Sequence, residues 1–337
     1  MNQKTALIIG VTGQDGLYLT EFLIKKNYRV VGMIQRGLEI SPALMSYLNS
    51  QIQVTYGDLV DIESLMQAIQ SYQPDEVYNL AALTHAGDSW RLAIETAEIT
   101  GLGAHRVFEA VRQVKKDSRV FQASSSDMFG RVKTSQQNEE TPFAPVNPYG
   151  AAKLYAHTIA QVYRNSHNMF VACAILFNHE SPRRGLHFLM QKVAYGAACI
   201  KLGIQNSPDS NEQGEPIVKD GKIALGNLDS KRDWGFAGDY VEAMWLMLQQ
   251  EKPDDFVIGT GTAHSVKELC ENAFGCVGLD WQKYVVVDPR FLRPTETGAT
   301  VADASKAKRI LGWSPHTPFS ELVKMMVEHQ IEVLNKK

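Results

Sequence analysis

The stretch Thr5-Ala6-Leu7-Ile8-Ile9-Gly10-Val11-Thr12-Gly13-Gln14-Asp15-Gly16 decides the fold. Its first five residues are apolar or β-branched and read as a buried strand. Residues 17–26 then carry a helical pattern. Glycines at 10, 13 and 16 permit a tight turn. They also let backbone N–H groups approach a pyrophosphate at the positive end of the helix. Three glycines at this spacing are a weak signal alone. Set between a strand and a helix, they point to a dinucleotide rather than to a purely structural turn.

Outward from this unit the rhythm repeats. Residues 29–34, 54–56, 76–80, 119–123 and 170–177 read as further apolar strands, each of the first four followed by a helical stretch. Continuous apolar strands separated by helices indicate a parallel sheet covered on both faces. The expected fold class is therefore α/β, a Rossmann-type doubly wound parallel sheet with a smaller C-terminal substrate-binding domain. The expected division is 1–178, with a segment around 226–260 returning to it, and 179–337. In the second part, 187–202 and 319–334 read as helices and Lys222–Leu225 as a short strand. The polar stretch 206–216 has no period and is rich in turn formers, which predicts a mobile surface loop or a short hairpin.

Composition bounds the function. At 337 residues the chain has room for about two domains of ~150 residues. It carries 34 Lys+Arg against 37 Asp+Glu, a formal charge of −3, so there is no polybasic field for nucleic acid or a membrane surface. No apolar run reaches the ~18 residues of a membrane span. The first residues lack the layout of a signal peptide, so a cytoplasmic protein is expected. Cys173, Cys199, Cys270 and Cys276 form no Cys-x-x-Cys pair, which predicts free thiols and no metal site.

The end of the second strand bears on the cofactor. A carboxylate there would hold ribose hydroxyls, as in NAD binders. The chain has Gln35-Arg36 instead, and no carboxylate before Glu39. A guanidinium offers a planar fork to a 2′-phosphate, so NADP is expected; a solvated surface arginine is the alternative. Asp58 and Leu59, after the third strand, are placed to meet the adenine. Leu80, Ala81 and Ala82 end the fourth strand with small residues that let a cofactor pass closely, or that serve helix–strand packing.

A second motif is Tyr149-Gly150-Ala151-Ala152-Lys153. Pro148 suits a first helical position and Asn147 an N-cap. Tyr149 and Lys153 then share a helix face. An ammonium beside a phenol favours the phenolate, which can exchange a proton with a substrate hydroxyl during hydride transfer. Spacing alone also fits an ordinary amphipathic helix. The segment 122–130 (QASSSDMFG) raises the odds, because ligands bind at the carboxyl ends of strands in open parallel sheets. Ser125 can hydrogen-bond the same oxygen as Tyr149, and Asp127 adds a carboxylate two residues on.

These motifs together resemble the extended short-chain dehydrogenase/reductases, and within them the GDP-mannose 4,6-dehydratase family. The resemblance is nearly full length. It rests on Gly10 to Gly16 with Tyr18 and Leu19, on 96–103 (TAEITGLG), and above all on 175–185 (ILFNHESPRRG) and 225–235 (LGNLDSKRDWG). It implies catalytic roles for Ser125, Asp127, Tyr149 and Lys153. It implies NADP contacts at Gly10, Thr12, Gly13, Gln14, Asp15, Gly16, Arg36, Asp58, Leu59, Leu80, Ala81, Ala82, Leu176, His179 and Arg184, besides Tyr149 and Lys153. It implies GDP-sugar contacts at His85, Ser89, Asn178, Lys192, Leu225, Gly226, Arg232, Arg293 and Glu296. It also implies a homodimer or homotetramer, with Arg183-Arg184 reaching a neighbour's cofactor near 35–39.

The chain departs from the family in places. Ser125 stands for Thr, Asp127 for Glu, Gln35 for Arg and Gln191 for Arg, and 86–91 (AGDSWR) differs. The leading reading is a cytoplasmic, NADP-dependent GDP-hexose 4,6-dehydratase, with GDP-mannose the first substrate and a GDP-heptose the main variation. Its rivals are a GDP-sugar C4 dehydrogenase, reductase or epimerase, and a dinucleotide-binding protein without catalysis.

Overall fold

In the computed structural model, which describes residues 3–131, 134–211, 213–292 and 300–336, the strands in chain order are β1 (Thr5–Ile9), β2 (Arg29–Gln35), β3 (Gln53–Gly57), β4 (Glu76–Asn79), β5 (Arg119–Ser125), β6 (Val171–Leu176), β7 (Asn178–Glu180), β8 (Val218–Lys219), β9 (Lys222–Leu225), β10 (Lys231–Phe236), β11 (Asp255–Ile258), β12 (Ala263–Ser265) and β13 (Val285–Val287). The chain divides into two compact units. The first runs to Leu176 and regains Tyr240–Ile258 and Asp303–Ser314. The second holds Phe177–Asp239, Gly259–Ala302 and the chain from Pro315 onward.

The first unit is built on one seven-stranded sheet in the order β11-β6-β5-β4-β1-β2-β3. Every neighbouring pair is parallel. Strand order reverses at β1, which lies between β2 and β4, so the turn leaving β1 opens at the switch point where such sheets bind ligands. Alternation along β1 explains why the strand is apolar throughout. Ala6 and Ile8 join one core with Leu19, Leu23, Met244 and Trp313. Leu7 and Ile9 join the other with Leu65, Val107, Phe108 and Ala160.

The sequence pattern places a returning segment around 226–260. In the structure the segment grouped with the first unit is Tyr240–Ile258, and Asp303–Ser314 joins it. β11 completes the sheet edge, with Ile258 opposite Leu176. Trp313 meets Tyr240 edge-on at 5.8 Å between ring centroids, both buried. Residues 226–239 instead contain β10, which pairs with β7 and β12 in the second unit. The helix after β1 begins at Gln14, three residues earlier than the apolar period places it, because Gly13 serves as its N-cap.

The second unit has two three-stranded sheets, β12-β10-β7 and β13-β9-β8. Its core is formed by Val193, Tyr195, Leu269, Phe274, Leu322 and Met326, among others, from the helices Leu189–Lys201, Val266–Gly275 and Phe319–Asn335. Within 206–216, Ser210 and Pro216 form an antiparallel bridge, as in a short hairpin. Tyr195 donates its hydroxyl proton to Asp209 at 2.8 Å and so ties the hairpin to that core. Among the described residues, no helix is long and apolar enough to cross a membrane.

Candidate active site

Gly10 closes the turn after β1 at φ +90°, a conformation that favours glycine. A Cβ there would lie 2.9 Å from the Ala81 backbone nitrogen. The small residues after β4 therefore have a structural reason: Ala81 packs directly against the glycine turn. Leu80 and Ala82 flank it, half-buried. Gly13 caps the helix Gln14–Lys25 and brings no side chain to the cap position. Thr12 lies in the turn, half-buried, and Gln14, Asp15 and Gly16 form the first helical turn, where Gln14 donates to Asp15 at 3.1 Å.

Beyond β2 the expected cofactor residues are already paired. Arg36 Nη1 lies 2.8 Å from Asp61 Oδ2, with the guanidinium half-exposed. Gln35 donates to Asp58 Oδ2 at 3.2 Å, and Asp58 Oδ1 accepts from the Val60 N–H. Leu59 is buried against Gly103. The carboxylate at Asp61, beside Arg36, escaped the sequence reading, which stopped at the strand end. A helix-start aspartate on the third strand's side was the available signal.

The catalytic candidates converge within this unit. β5 ends at Ser125, paired with Leu176 of β6. The Asp127 N–H donates to Ser125 Oγ at 3.2 Å, holding the carboxylate's residue in a short 3₁₀ turn. As the sequence predicts, Asn147 caps the next helix, Pro148–His167, accepting from the Gly150 N–H at 2.7 Å. A Cβ on Gly150 would lie 2.5 Å from the Asp127 carbonyl oxygen. Glycine thus lets the helix start dock on the Asp127 turn, one residue from Tyr149.

Tyr149 and Lys153 are both buried. Lys153 Nζ donates to the Ala123 carbonyl at 2.8 Å and stands 5.8 Å from the centre of the Tyr149 ring. Burial pushes the Lys153 ammonium down to about 8, against the pull of the Asp15 carboxylate. An ammonium in this place favours negative charge on a phenol oxygen nearby.

After β4, His85 Nδ1 lies 2.8 Å from Asp88. Ser89 is buried, and its hydroxyl donates to the Ala86 carbonyl at 2.7 Å. The structure therefore engages the Ser89 hydroxyl in its own turn.

In the second unit, Asn178 and His179 pair with Trp234 and Gly235 across β7 and β10. His179 Nδ1 lies 2.8 Å from the Phe177 carbonyl, so that nitrogen carries the proton. The Arg184 guanidinium stacks 3.4 Å from the centre of the Phe188 ring and pairs with Glu180. Lys192 is buried, its ammonium 3.8 Å from the centre of the Phe291 ring. Leu225 pairs with Val287, and Gly226 lies against the Phe291 carbonyl. Phe291 thus joins two sequence-predicted positions, and the sequence reading missed it. Arg232 donates to the Lys231 carbonyl and bridges Thr300. Arg293 and Glu296 lie outside the described residues.

A parallel sheet with a glycine turn at its switch point, and a capped Tyr-x-x-x-Lys helix beside a serine strand end, defines an extended short-chain dehydrogenase/reductase fold. A solved UDP-glucose 4-epimerase of Thermotoga maritima has this fold: TM-score 0.84, 22% identity, covering 98% of this chain and 99% of that one. The chain belongs to the GDP-mannose 4,6-dehydratase family, whose model matches residues 7–326. Relatives include GDP-mannose 4,6 dehydratase 1 of Arabidopsis thaliana, 44% identical over 99% of this chain and 92% of its own length. The Homo sapiens GDP-mannose 4,6 dehydratase is 40% identical over 98% of this chain and 92% of its own.

Proposed function

We propose that the protein is a GDP-sugar 4,6-dehydratase that uses NADP, with GDP-mannose as its substrate. The observation that carries this reading is the convergence of Ser125, Asp127, Tyr149 and Lys153 at one strand end of a chain that belongs to this family. The side-chain-free cap at Gly13, at the start of the helix after β1, fits a dinucleotide pyrophosphate. Arg36 supports NADP over NAD. When bound, the nicotinamide supplies a hydride acceptor for C4 and a hydride donor for C6.

The chain's residues supply the proton chemistry. Tyr149 takes the proton of the C4 hydroxyl, with Ser125 donating a hydrogen bond to the same oxygen. Lys153 holds positive charge beside the phenol while this happens. The resulting 4-ketone acidifies the C5 proton. Asp127 removes it and passes it to the C6 hydroxyl, which leaves as water, and the proton that Tyr149 took is delivered to C5 as C6 is reduced. Atoms balance: one water is lost, and the product is a 4-keto-6-deoxy sugar.

In the second unit, Lys192, Arg232 and Asn178, with Leu225, Gly226, Arg293 and Glu296, are the residues proposed to hold the GDP moiety; His85 and Ser89 belong to the sugar side. Leu176, His179 and Arg184 complete the cofactor set, Arg184 toward a neighbouring subunit of a homodimer or homotetramer. The protein is proposed to work in the cytoplasm.

The test is to incubate purified protein with GDP-mannose and follow NADPH absorbance and sugar mass together. Loss of one water without net NADPH supports the dehydratase. Net NADPH points instead to a C4 dehydrogenase, which the shortened Asp127 base makes the reading to exclude. No change with several GDP-sugars overturns both.

A further inference from the structure

On the helix Pro148–His167, Tyr149, Lys153, His157 and Gln161 follow each other every four residues and so form a continuous row. The first two belong to the catalytic set. The next two have no part in the proton chemistry, yet His157 is buried and fully engaged. Its Nδ1 lies 3.0 Å from Ser124 Oγ, on β5 immediately before Ser125. Its Nε2 lies 3.2 Å from Gln161 Nε2. The same Gln161 nitrogen donates to Asp255 Oδ2 on β11 at 2.8 Å. Phe143 closes the site, its ring edge-on to the imidazole at 5.3 Å.

These contacts fix the imidazole's protons. Asp255 is ionised: burial works against it, but the Arg164 guanidinium on Oδ1 outweighs that and holds it low. A carboxylate only accepts, so the Gln161 atom facing it is the amide nitrogen. That nitrogen has a second proton, directed at His157 Nε2, which must therefore accept. Nδ1 then carries the imidazole proton and donates to Ser124 Oγ. Burial pushes His157 below its ordinary value, in keeping with one proton on the ring.

The donor atoms of His157, Cys173 and Asp255 also lie within 4.8 Å of one another, a spacing that could hold a metal. Here Arg164 pairs with the Asp255 carboxylate and Gln161 takes the His157 nitrogen. Burial pushes the Cys173 thiol well up. The cluster is a hydrogen-bonded clamp, not a cation site.

We propose that His157 is a positioning residue: through its Nδ1–H bond to Ser124 it fixes the Tyr149–Lys153 helix on β5, and so sets how Tyr149, Lys153 and Ser125 meet one substrate oxygen. The Lys153 bond to Ala123 is the neighbouring rung of this attachment. The proposal rests on the dehydratase reading for its turnover assay.

The experiment compares His157→Asn, His157→Gln, His157→Phe and Ser124→Ala. Asn places an amide N–H where Nδ1 stood and keeps the bond to Ser124. Gln places its amide where Nε2 stood and loses that bond. The Phe, Gln and Ala variants are expected to lose about tenfold to a hundredfold in kcat, the scale of a small misplacement of catalytic groups. Their KM for GDP-mannose should stay within about twofold, because binding groups are untouched. Asn should restore turnover to within about threefold of wild type.

A second readout needs no substrate: the pH midpoint of the phenolate absorbance that Tyr149→Phe removes. It should rise in His157→Phe and stay in His157→Asn. If wild type does not dehydrate GDP-mannose, the substrate reading fails while this titration still decides the positioning role. A folded His157→Phe with wild-type kcat and wild-type Tyr149 midpoint overturns the proposal. So does equal loss in the Asn and Phe variants. Should His157→Phe not fold, Ser124→Ala decides by the same criteria.

Discussion

The ammonium of Lys153 is hydrogen-bonded to the carbonyl of Ala123, two residues before Ser125, at 2.8 Å. One bond therefore ties the helix that carries Tyr149 to the strand that carries the serine. It also buries a positive charge almost completely, which is what pushes Lys153 down to about 8 from its ordinary 10.5. This arrangement of Lys153 costs stability, and that cost depends on pH.

Below pH 8 both folded and unfolded chains carry the Lys153 proton, and the burial cost is complete. It is about 3 kcal/mol, since each tenfold loss of proton affinity corresponds to roughly 1.4 kcal/mol. Between 8 and 10.5 the unfolded chain binds the extra proton, so this contribution makes stability rise with pH. Lys153→Met removes the charge. Its unfolding free energy relative to wild type is expected to be most favourable below pH 8 and to lose that advantage by pH 10.5, while turnover is abolished. Denaturant titrations on either side of this window and within it check this; a difference that is flat with pH overturns it.

Tyr149→Phe keeps the buried ring and removes only the hydroxyl. Turnover should fall by ~10²-fold or more, the size of a general acid/base contribution. GDP affinity, measured by calorimetry, should stay near wild type. Near-normal turnover would remove Tyr149 from the acid/base role.

Arg36 is paired with Asp61, so a 2′-phosphate bound at Arg36 would have to share the guanidinium with a carboxylate. Arg36→Ala is expected to weaken NADP⁺ by ~1.5–3 kcal/mol, the range for a charged hydrogen bond, and to leave NAD⁺ little changed. Asp61→Asn should tighten NADP⁺ and leave NAD⁺ alone. Equal effects on both dinucleotides would place the pair outside cofactor recognition.

Asp127 is the carboxylate two residues beyond Ser125, in the short turn that follows β5. Asp127→Asn should leave C4 oxidation intact and stop elimination. NADPH and the 4-keto sugar should then accumulate to at most one equivalent per site. Wild type should exchange the C5 proton with solvent deuterium during turnover, and the variant should not. Dehydrated product at the wild-type rate would mean that another group is the base.

Much of the first unit was legible along the chain. The strand Thr5–Ile9, the glycine turn, the Asn147–Pro148 helix start and the Tyr149–Lys153 spacing are local features. Each is fixed by backbone geometry within a few residues, so periodicity and capping chemistry reveal it. The family resemblance at 175–185 and 225–235 was legible for a different reason: these are long strings. The second return to the sheet, Asp303–Ser314, was not. Its helix is short, and its apolar residues have a partner only once Tyr240 is in place.

What the sequence alone determined is the strand–helix alternation of the first unit and the candidates for the catalytic groups. What only the tertiary structure decided is which groups are already engaged. Arg36 meets Asp61 from 25 residues away, Ser124 meets His157 from 33, and Gln161 meets Asp255 from 94. No periodicity links such pairs. They exist because sheet register and helix docking bring them within about 3 Å, and a contact much beyond about 3.5 Å is no longer a hydrogen bond.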